Sequence, residues 1–336
     1  MVSAVERRRL GQSSLAVTPV GLGTWAIGGG DWILGWGPQS HAQSLATIRH
    51  ALDRGINWID TSAVYGLGQA ETLIAKALED VPRGDRPHVF TTCGFVWDDL
   101  GNVSCTLEPL QIRREAEASL RRLNVESIDL YQLDLPVGPT CLWTYDPGQL
   151  DEAWATMGSL QREGKVRFIG VANAQSEDLK RLEEIAPVTS LQAPYSLLRP
   201  DAETTTFPFC RSRGIGVIAH STIEAGLLSG AMTGERLRRL PYNDWRRRCA
   251  CFRRAAVTRA PNVVDRIRKV AARHARAPAA VAVAWALDQR GVTAVAVGAR
   301  RPEQVDEIAR AALLRLSPAD RVELGQAEFA MPVSSF

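Results

Sequence analysis

Residues 55–78 read GINWIDTSAVYGLGQAETLIAKAL. The run Asn57–Asp60 is β-branched and aromatic enough to favour an extended strand. After a turn rich in glycine, Ala70–Leu78 is amphipathic at a helical period. The unit is therefore strand, turn, helix, with a carboxylate, Asp60, at the last position of the strand.

The same unit recurs along the chain. Strands are expected at Val17–Trp25, Asn57–Asp60, His88–Cys93, Ser127–Leu135, Val166–Val171, Thr189–Gln192, Ile215–Ala219 and Val292–Val297. Several are apolar without alternation, as strands covered on both faces should be. Helices are expected between them. Ala42–Leu52 follows Ser40 as N-cap and stops at Gly55. Further helices are expected at Glu115–Leu123, at Leu150–Arg162, and at Glu177–Glu184 with Ser176 opening it. Val263–His274 has one apolar face, Pro278 opens a helix ending before Gly291, and Pro302–Ala312 follows the last strand. Eight strands alternating with helices predict an α/β fold, a (β/α)8 TIM barrel, as a single domain over 1–336. The rival is a doubly wound sheet, but no GxGxxG phrase opens a first strand–helix turn. Residues 6–17 predict an N-terminal β-hairpin, Arg7–Leu10 against Leu15–Val17, plugging the barrel floor. The apolar tail AEFAMPVSSF, 327–336, is expected over the mouth.

Composition narrows the function. The chain is 45% hydrophobic and its net charge of +3 is too small to imply a nucleic-acid partner. Arg236, Arg238, Arg239, Arg246, Arg247, Arg248, Arg253 and Arg254 crowd one segment, read as a solvated helical face or, in the sharper reading, an anion contact. No stretch reaches the roughly 18 apolar residues of a membrane span, and the first residues lack the apolar core of a signal peptide. The six cysteines show no metal-ligand spacing, which predicts free thiols in the cytoplasm and no metal.

In a barrel of this kind chemistry sits at the C-terminal strand ends. Those ends, Gly23–Trp25, Asp60, Thr92, Leu133–Pro136, Ala172–Asn173, Gln192, His220–Ser221 and Gly298–Arg300, resemble the aldo/keto reductase superfamily along nearly the whole chain. The phrases that carry the resemblance are GLGTWAIGG at 21–29, GINWIDTSAVYGLGQAE at 55–71, GVANAQSEDL at 170–179, LQAPYSLL at 191–198, GVIAHSTIEAGLLSG at 216–230 and VGARRPEQVDE at 297–307. The resemblance implies transfer of hydride from NADPH to a carbonyl. A tyrosine gives the proton, a lysine paired with an aspartate lowers the pKa of that phenol, and a histidine orients the carbonyl. A phenol near pKa 10 needs such a cation to act as an acid near neutrality.

This chain keeps Asp60 and Tyr65. At the lysine position it has Thr92, and YQLDLP puts Asp134 where the histidine belongs. Two carboxylates flanking Tyr65 raise its pKa instead of lowering it. Losing one general acid–base contribution costs about 10²–10⁴ in rate. The cofactor positions implied by the resemblance are Gly23, Thr24, Trp25, Asn173, Gln192, Ser221, Arg300, Gln304 and Glu307. Arg300 is the partner for a 2′-phosphate. Other cofactor positions differ: His220 replaces an aromatic, and Ala172, Ala231 and Ile308 replace polar residues. Glu224 adds an acid where the pyrophosphate would lie. NADP(H) is therefore expected to bind weakly or not at all.

Asp60, Tyr65, Asp134 and His220 are read as the acid–base groups, with His220 titrating near neutrality. The plainer alternatives are a structural Asp60 held by an amide or arginine and a His220 that is only packed. Thr92 is a hydrogen-bonding or space-filling replacement with a lesser claim on catalysis. Trp25, Trp32, Trp36, Trp97 and Trp143 are expected to form an aromatic wall for a ring-containing or glycosidic small molecule. Trp58, Trp154, Trp245 and Trp285 are read as packing. The favoured expectation is redox-neutral proton chemistry (dehydration, elimination, cyclisation or epimerisation) in a lyase or isomerase of secondary metabolism that requires no cofactor. The alternatives are an NADPH-dependent carbonyl reductase with a rearranged site and a non-catalytic sensor or partner-binding protein. The residues name neither the substrate nor the oligomeric state.

Overall fold

The structure, a computed structural model, describes residues 6–135 and 145–325. It begins with an antiparallel hairpin, β1 (Arg8–Arg9) and β2 (Ala16–Val17). Then come β3 (Val20–Gly23), β4 (Trp58–Asp60) and β5 (His88–Cys93), a second hairpin β6 (Phe95–Trp97) and β7 (Val103–Cys105), and β8 (Ile128–Asp134). β9 (Val166–Ala172), β10 (Ser190–Pro194), β11 (Gly216–His220) and β12 (Ala294–Gly298) complete the strands. Eight of them close a parallel barrel in the order β3-β4-β5-β8-β9-β10-β11-β12, with β12 pairing back onto β3 through Val295–Val20 and Gly298–Gly23.

All eight expected barrel strands are present. The first is shorter than Val17–Trp25 because Pro19, without an N–H, cannot continue a ladder, so the stretch divides into β2 and β3. Several helices begin earlier than expected. Pro147 occupies the first turn of Pro147–Arg162 behind Asp146, whose carboxylate accepts from the Gly148 amide at 2.7 Å. Pro109 opens Pro109–Leu123 behind Glu108 in the same way. The helix Phe207–Arg213, the β6–β7 hairpin and the short helices Gly234–Arg238, Trp245–Arg248 and Ala250–Thr258 are additions to the expected scheme.

The floor of the barrel is dry and apolar. Leu10, Leu15 and Val17 of the opening hairpin pack on Trp58, Phe90, Leu130, Ile218, Ala294 and Ala296, as expected for a plug. The indole of Trp58 lies so close to Gly21 that a Cβ there would come within 2.2 Å of it, so only glycine is accommodated on β3 at this level. Trp154 and Trp285 are buried packing residues, as expected. The expected tail over the mouth, 327–336, lies outside the described residues.

Candidate active site

A strand turns successive side chains to opposite faces, so residues two apart share the lumen. Stepping two residues up from the apolar floor changes the chemistry. Trp58 is followed by Asp60, Phe90 by Thr92, Leu130 by Gln132 and then Asp134, and Ile218 by His220. Gln192 of β10 joins the same polar layer. Gly170 of β9 leaves the room Gln132 occupies: a Cβ there would stand 3.4 Å from Gln132 Cγ and 2.5 Å from Ser190 Oγ.

Asp60 is buried and accepts at Oδ1 from Gln192 Nε2 at 2.7 Å and, more weakly, from Gln132 Nε2 at 3.5 Å. Thr24 Oγ1 donates to the Asp60 carbonyl at 2.9 Å, so the threonine expected to meet a cofactor is fully buried and holds the strand end instead. Asp134 accepts at Oδ1 from Asn173 Nδ2 at 2.7 Å. Because that amide nitrogen faces Asp134, Asn173 Oδ1 faces His220 Nε2 at 3.3 Å, and the ring must donate there. His220 Nδ1 is then the acceptor for Ser221 Oγ at 3.0 Å. A hydrogen-bonded row thus runs Ser221–His220–Asn173–Asp134 over the ends of β11, β9 and β8, passing across β10, which lies between β11 and β9.

The electrostatics follow from burial without a cation. Desolvation pushes Asp60 up to about 7, against its two amide donors and helped by the charge of Asp134. Asp134 is also raised to about 7 by burial, with Asn173 opposing. Tyr65, in the turn after β4, is pushed well above the usual phenol value by burial, then by Asp60 and Asp134. The charges acting on Tyr65 are those of Asp60 and Asp134, and the charge acting on Asp60 is that of Asp134. The chain's four lysines, Lys76, Lys165, Lys180 and Lys269, lie on helices or, for Lys165, just before the start of β9. None stands at the C-terminal end of a strand. Thr92 contributes a hydroxyl that donates to the Thr61 carbonyl at 3.3 Å, fastening the turn that carries Tyr65.

Three expectations need correction. His220 does not titrate near neutrality: burial first, and then the charge of Arg199, push it down to about 3, so it is a neutral imidazole. Glu224 is not a free acid facing a pyrophosphate. It is buried, accepts from Ser196 Oγ at 2.6 Å and pairs with Arg199 at 3.6 Å. The tryptophans do not form one open wall. Trp32 is only 5% exposed. Trp97 is half-buried on β6 beneath the Arg122 guanidinium, 5.6 Å from its ring, and Trp143 lies outside the described residues. What the structure does assemble is a smaller cluster. Trp25 stacks near Tyr65 at 6.2 Å and on Trp245 at 5.3 Å, and Trp36 stands edge-on to Trp25 at 5.2 Å. Trp245 is buried at 5% exposure, as expected of a packing residue, and backs this cluster from the core side.

In the arginine-rich segment Arg236, Arg238, Arg239, Arg247, Arg248, Arg253 and Arg254 are exposed, as expected of a solvated face, and Arg246 is the exception. Arg246 is 9% exposed and grips Asp244 through Nε at 2.9 Å and Nη2 at 2.6 Å. It also donates to the Ala225 carbonyl at 3.1 Å and lies 4.4 Å from the Trp36 ring. Gln132 and this Asp244–Arg246 clamp were missed from sequence. Gln132 was legible in principle, two residues before Asp134 on one strand face, whereas the clamp depends on a fold-back over the loop 33–39.

Among the described residues, five of the seven non-glycine residues with left-handed φ sit in mouth loops: Leu67, Asn173, Ser221, Glu224 and Ala225. Such strain persists where surrounding structure enforces it and gathers at functional sites. A dinucleotide finds a fitting surface here. Gly298 is exposed at the end of β12, where a Cβ would meet only the Gly23 carbonyl at 3.8 Å. Behind it the helix Pro302–Ala311 starts with no side chain capping it and with exposed Arg301 at its N-cap. Glu307 Oε2 is buried and has no partner among the described residues, although Oε1 holds Arg310. Arg300, expected to meet a 2′-phosphate, is largely engaged: it donates to Gln39 Oε1 at 2.9 Å and to the carbonyls of Trp36 and Pro38. Gln304 Oε1 accepts from the Arg300 amide at 2.8 Å.

Residues 19–327 match the sequence profile of the aldo/keto reductase family. The chain belongs to the aldo/keto reductase family. An NADH-specific methylglyoxal reductase from Escherichia coli is 32% identical over 93% of this chain and 94% of its own length. Aldo-keto reductase YhdN from Bacillus subtilis is 30% identical over 95% of this chain and 92% of its own. Among solved structures, a glycerol dehydrogenase from Gluconobacter oxydans superposes with a TM-score of 0.82 at 31% identity, covering 99% of both chains. These relatives of the aldo/keto reductase are named for reduction and dehydrogenation. That overturns the expectation of redox-neutral lyase or isomerase chemistry, and with it the dehydratase and cyclase readings. The relatives favour instead the alternative expectation, a carbonyl reductase with a rearranged site.

Proposed function

We propose that this aldo/keto reductase is a nicotinamide-dependent oxidoreductase with a rearranged proton-donating site, interconverting a small carbonyl compound and its reduced partner. The observation that carries the reading is the whole-length likeness to named reductases and a dehydrogenase in a chain that keeps Asp60 and Tyr65 at the mouth. When bound, the reduced nicotinamide supplies the hydrogen and electron pair that reach the carbonyl carbon. Ser221, Gln192 and Asn173 are the polar groups suited to the ring end. Gly23, Gly298, Arg301, Gln304 and Glu307 suit the phosphates and adenosine. Since Arg300 already serves three acceptors of its own chain, a 2′-phosphate must compete for it, and NADPH should hold little advantage over NADH.

The carbonyl oxygen needs a proton as the electron pair arrives. Tyr65 is not acidified, so it orients the oxygen as a neutral donor. Asp60 and Asp134, raised to about 7, are the groups whose protons are available near neutrality. His220, neutral and fixed as a donor to Asn173, keeps that amide turned toward Asp134. Thr92 fastens the Tyr65 turn. Trp25 and Trp36 are the aromatic surfaces suited to the substrate, with Trp97 further out on its hairpin. The reading is of one domain over 1–336, working in the cytoplasm on a small molecule, without a nucleic-acid or membrane partner. Among the described residues no helix is long and apolar enough to cross a membrane.

The test is direct. NADH and NADPH are titrated against the purified protein by fluorescence, followed by turnover with methylglyoxal and a panel of small aldehydes and ketones. Binding of both cofactors and consumption of the reduced form are expected. Failure of both cofactors to bind would falsify the reading.

A further inference from the structure

The mouth has an electrostatic sign that a carbonyl does not want. Reduction of a neutral carbonyl builds negative charge on oxygen. Here that oxygen would sit by Asp60 and Asp134, which bear on Tyr65 and with no lysine at any strand end. A second observation points the same way. Gln132 is fully buried in the same layer, with its amide nitrogen toward Asp60, while its Oε1 is an acceptor with no hydrogen-bond partner among the described residues. Beside these stand electron-rich faces, Trp25 and Tyr65, stacked at 6.2 Å. Acceptor oxygens and aromatic faces, with no cation among the charges acting on Asp60 and Asp134, make a surface complementary to a positive ligand.

We propose that the preferred electrophile of this site is a carbon–nitrogen double bond in its protonated form, an imine or iminium held against Asp60 and Asp134, with the carbonyl as the poorer substrate. The inference rests on the oxidoreductase reading above and specifies its substrate class. A carboxyl of the pair gives its proton to the imine nitrogen and becomes a carboxylate, so a neutral pair turns into an attractive ion pair. The hydrogen and its bonding electrons then pass from the reduced nicotinamide to the imine carbon. The π pair of the C=N bond withdraws onto nitrogen and cancels its charge. A neutral amine and the oxidised, positively charged nicotinamide result, so charge and electrons balance. The gain lies in the population of the protonated imine, since charge is lost in the later step. A carbonyl oxygen is far too weakly basic to be protonated beforehand, so it takes its proton from the pair only as the electron pair arrives and gains no ion pair with the carboxylate. The titratable groups around the bound nitrogen are Asp60 on β4, Tyr65 in the next turn, Asp134 on β8 and, beyond Asn173, His220 on β11 with Arg199 acting on it.

Two readouts test this. Without turnover, benzylamine and benzyl alcohol are titrated calorimetrically against the whole protein near neutral pH. The amine is expected to bind at least about tenfold more tightly. The preference should vanish in Asp60→Asn/Asp134→Asn and reverse in Thr92→Lys, which returns a cation to the layer. Equal or weaker binding of the amine by the unaltered protein overturns the inference, whatever the variants do. With turnover, dihydroisoquinoline and its ketone counterpart tetralone compete for the reduced nicotinamide, and the imine is expected to show at least about tenfold higher kcat/KM. Reduction of tetralone in preference to the imine overturns the inference and leaves the oxidoreductase reading standing. Absence of nicotinamide binding removes that reading, while the amine preference is still decided by the calorimetry.

Discussion

Floor and mouth of this barrel are built from the same strands, two residues apart, and they obey opposite rules. At the floor, Trp58, Phe90 and Leu130 fill the lumen against the plug residues Leu10, Leu15 and Val17, and the indole N–H of Trp58 donates to the Thr18 carbonyl at 2.9 Å. At the mouth, Asp60, Thr92, Gln132 and Asp134 stand on the next inward positions, where burial works against them. The floor gains stability from area removed from water. The mouth surrenders some of it to hold two carboxyls in a place that favours their neutral form.

The sharpest way to break this contrast is at the floor. Trp58→Ala removes a fully buried indole and should destabilise the protein by about 4–5 kcal/mol, read by chemical denaturation. An effect near zero would mean the floor is not the core. Next is the clamp at the rim. Arg246→Met strands Asp244, which is 0% exposed, and should cost about 3–4 kcal/mol. It should also loosen Trp36, read as a change in tryptophan fluorescence.

The mouth itself is tested by pH. Asp60 and Asp134 lie at about 7 in the folded chain against 3.8 ordinarily, so folding favours their protonated forms. Their contribution is therefore fully present below about pH 4 and is lost as pH rises toward and through 7. Asp134→Asn should raise stability near pH 8 by about 2–3 kcal/mol, less than the roughly 4 kcal/mol of an isolated group because the pair is coupled, and change little near pH 4. Thermal melts at the two pH values decide it, and equal shifts would refute the raised carboxyl. His220 runs the other way. Held down at about 3, it favours folding above its ordinary 6.5 and withdraws that support as pH falls toward 3. The smallest expected effect is at Arg300. Arg300→Ala should change the ratio of NADPH to NADH affinity by less than about threefold.

How much of this was legible in the sequence follows the same division. The barrel strands could be read because strands buried on both faces are written as apolar runs, and the opening hairpin because Leu10, Leu15 and Val17 flank a turn. The residue types at the mouth could be read too: the replacement of a lysine by Thr92 and the arrival of Asp134 are visible as letters. Their states could not. The neutral form of His220 depends on burial and on Arg199, and the neutralisation of Glu224 on the same arginine, brought near by the chain after β10. Trp32, expected in the wall, is buried because a run of aromatics does not say which ring faces inward. The expectation of redox-neutral chemistry fails for the same reason: the loss of two basic groups is visible as letters, whereas the burial that keeps protons on Asp60 and Asp134 near neutrality is not.

The measurement that bears most directly on the account is consumption of the reduced nicotinamide, followed by its absorbance, with methylglyoxal or dihydroisoquinoline as acceptor, across pH and in Asp134→Asn. The account predicts turnover by the unaltered protein that falls as pH rises above about 7, and a loss of about 10²-fold or more in the variant. Turnover of the acceptor with no nicotinamide consumed, or a variant as fast as the parent, would contradict it.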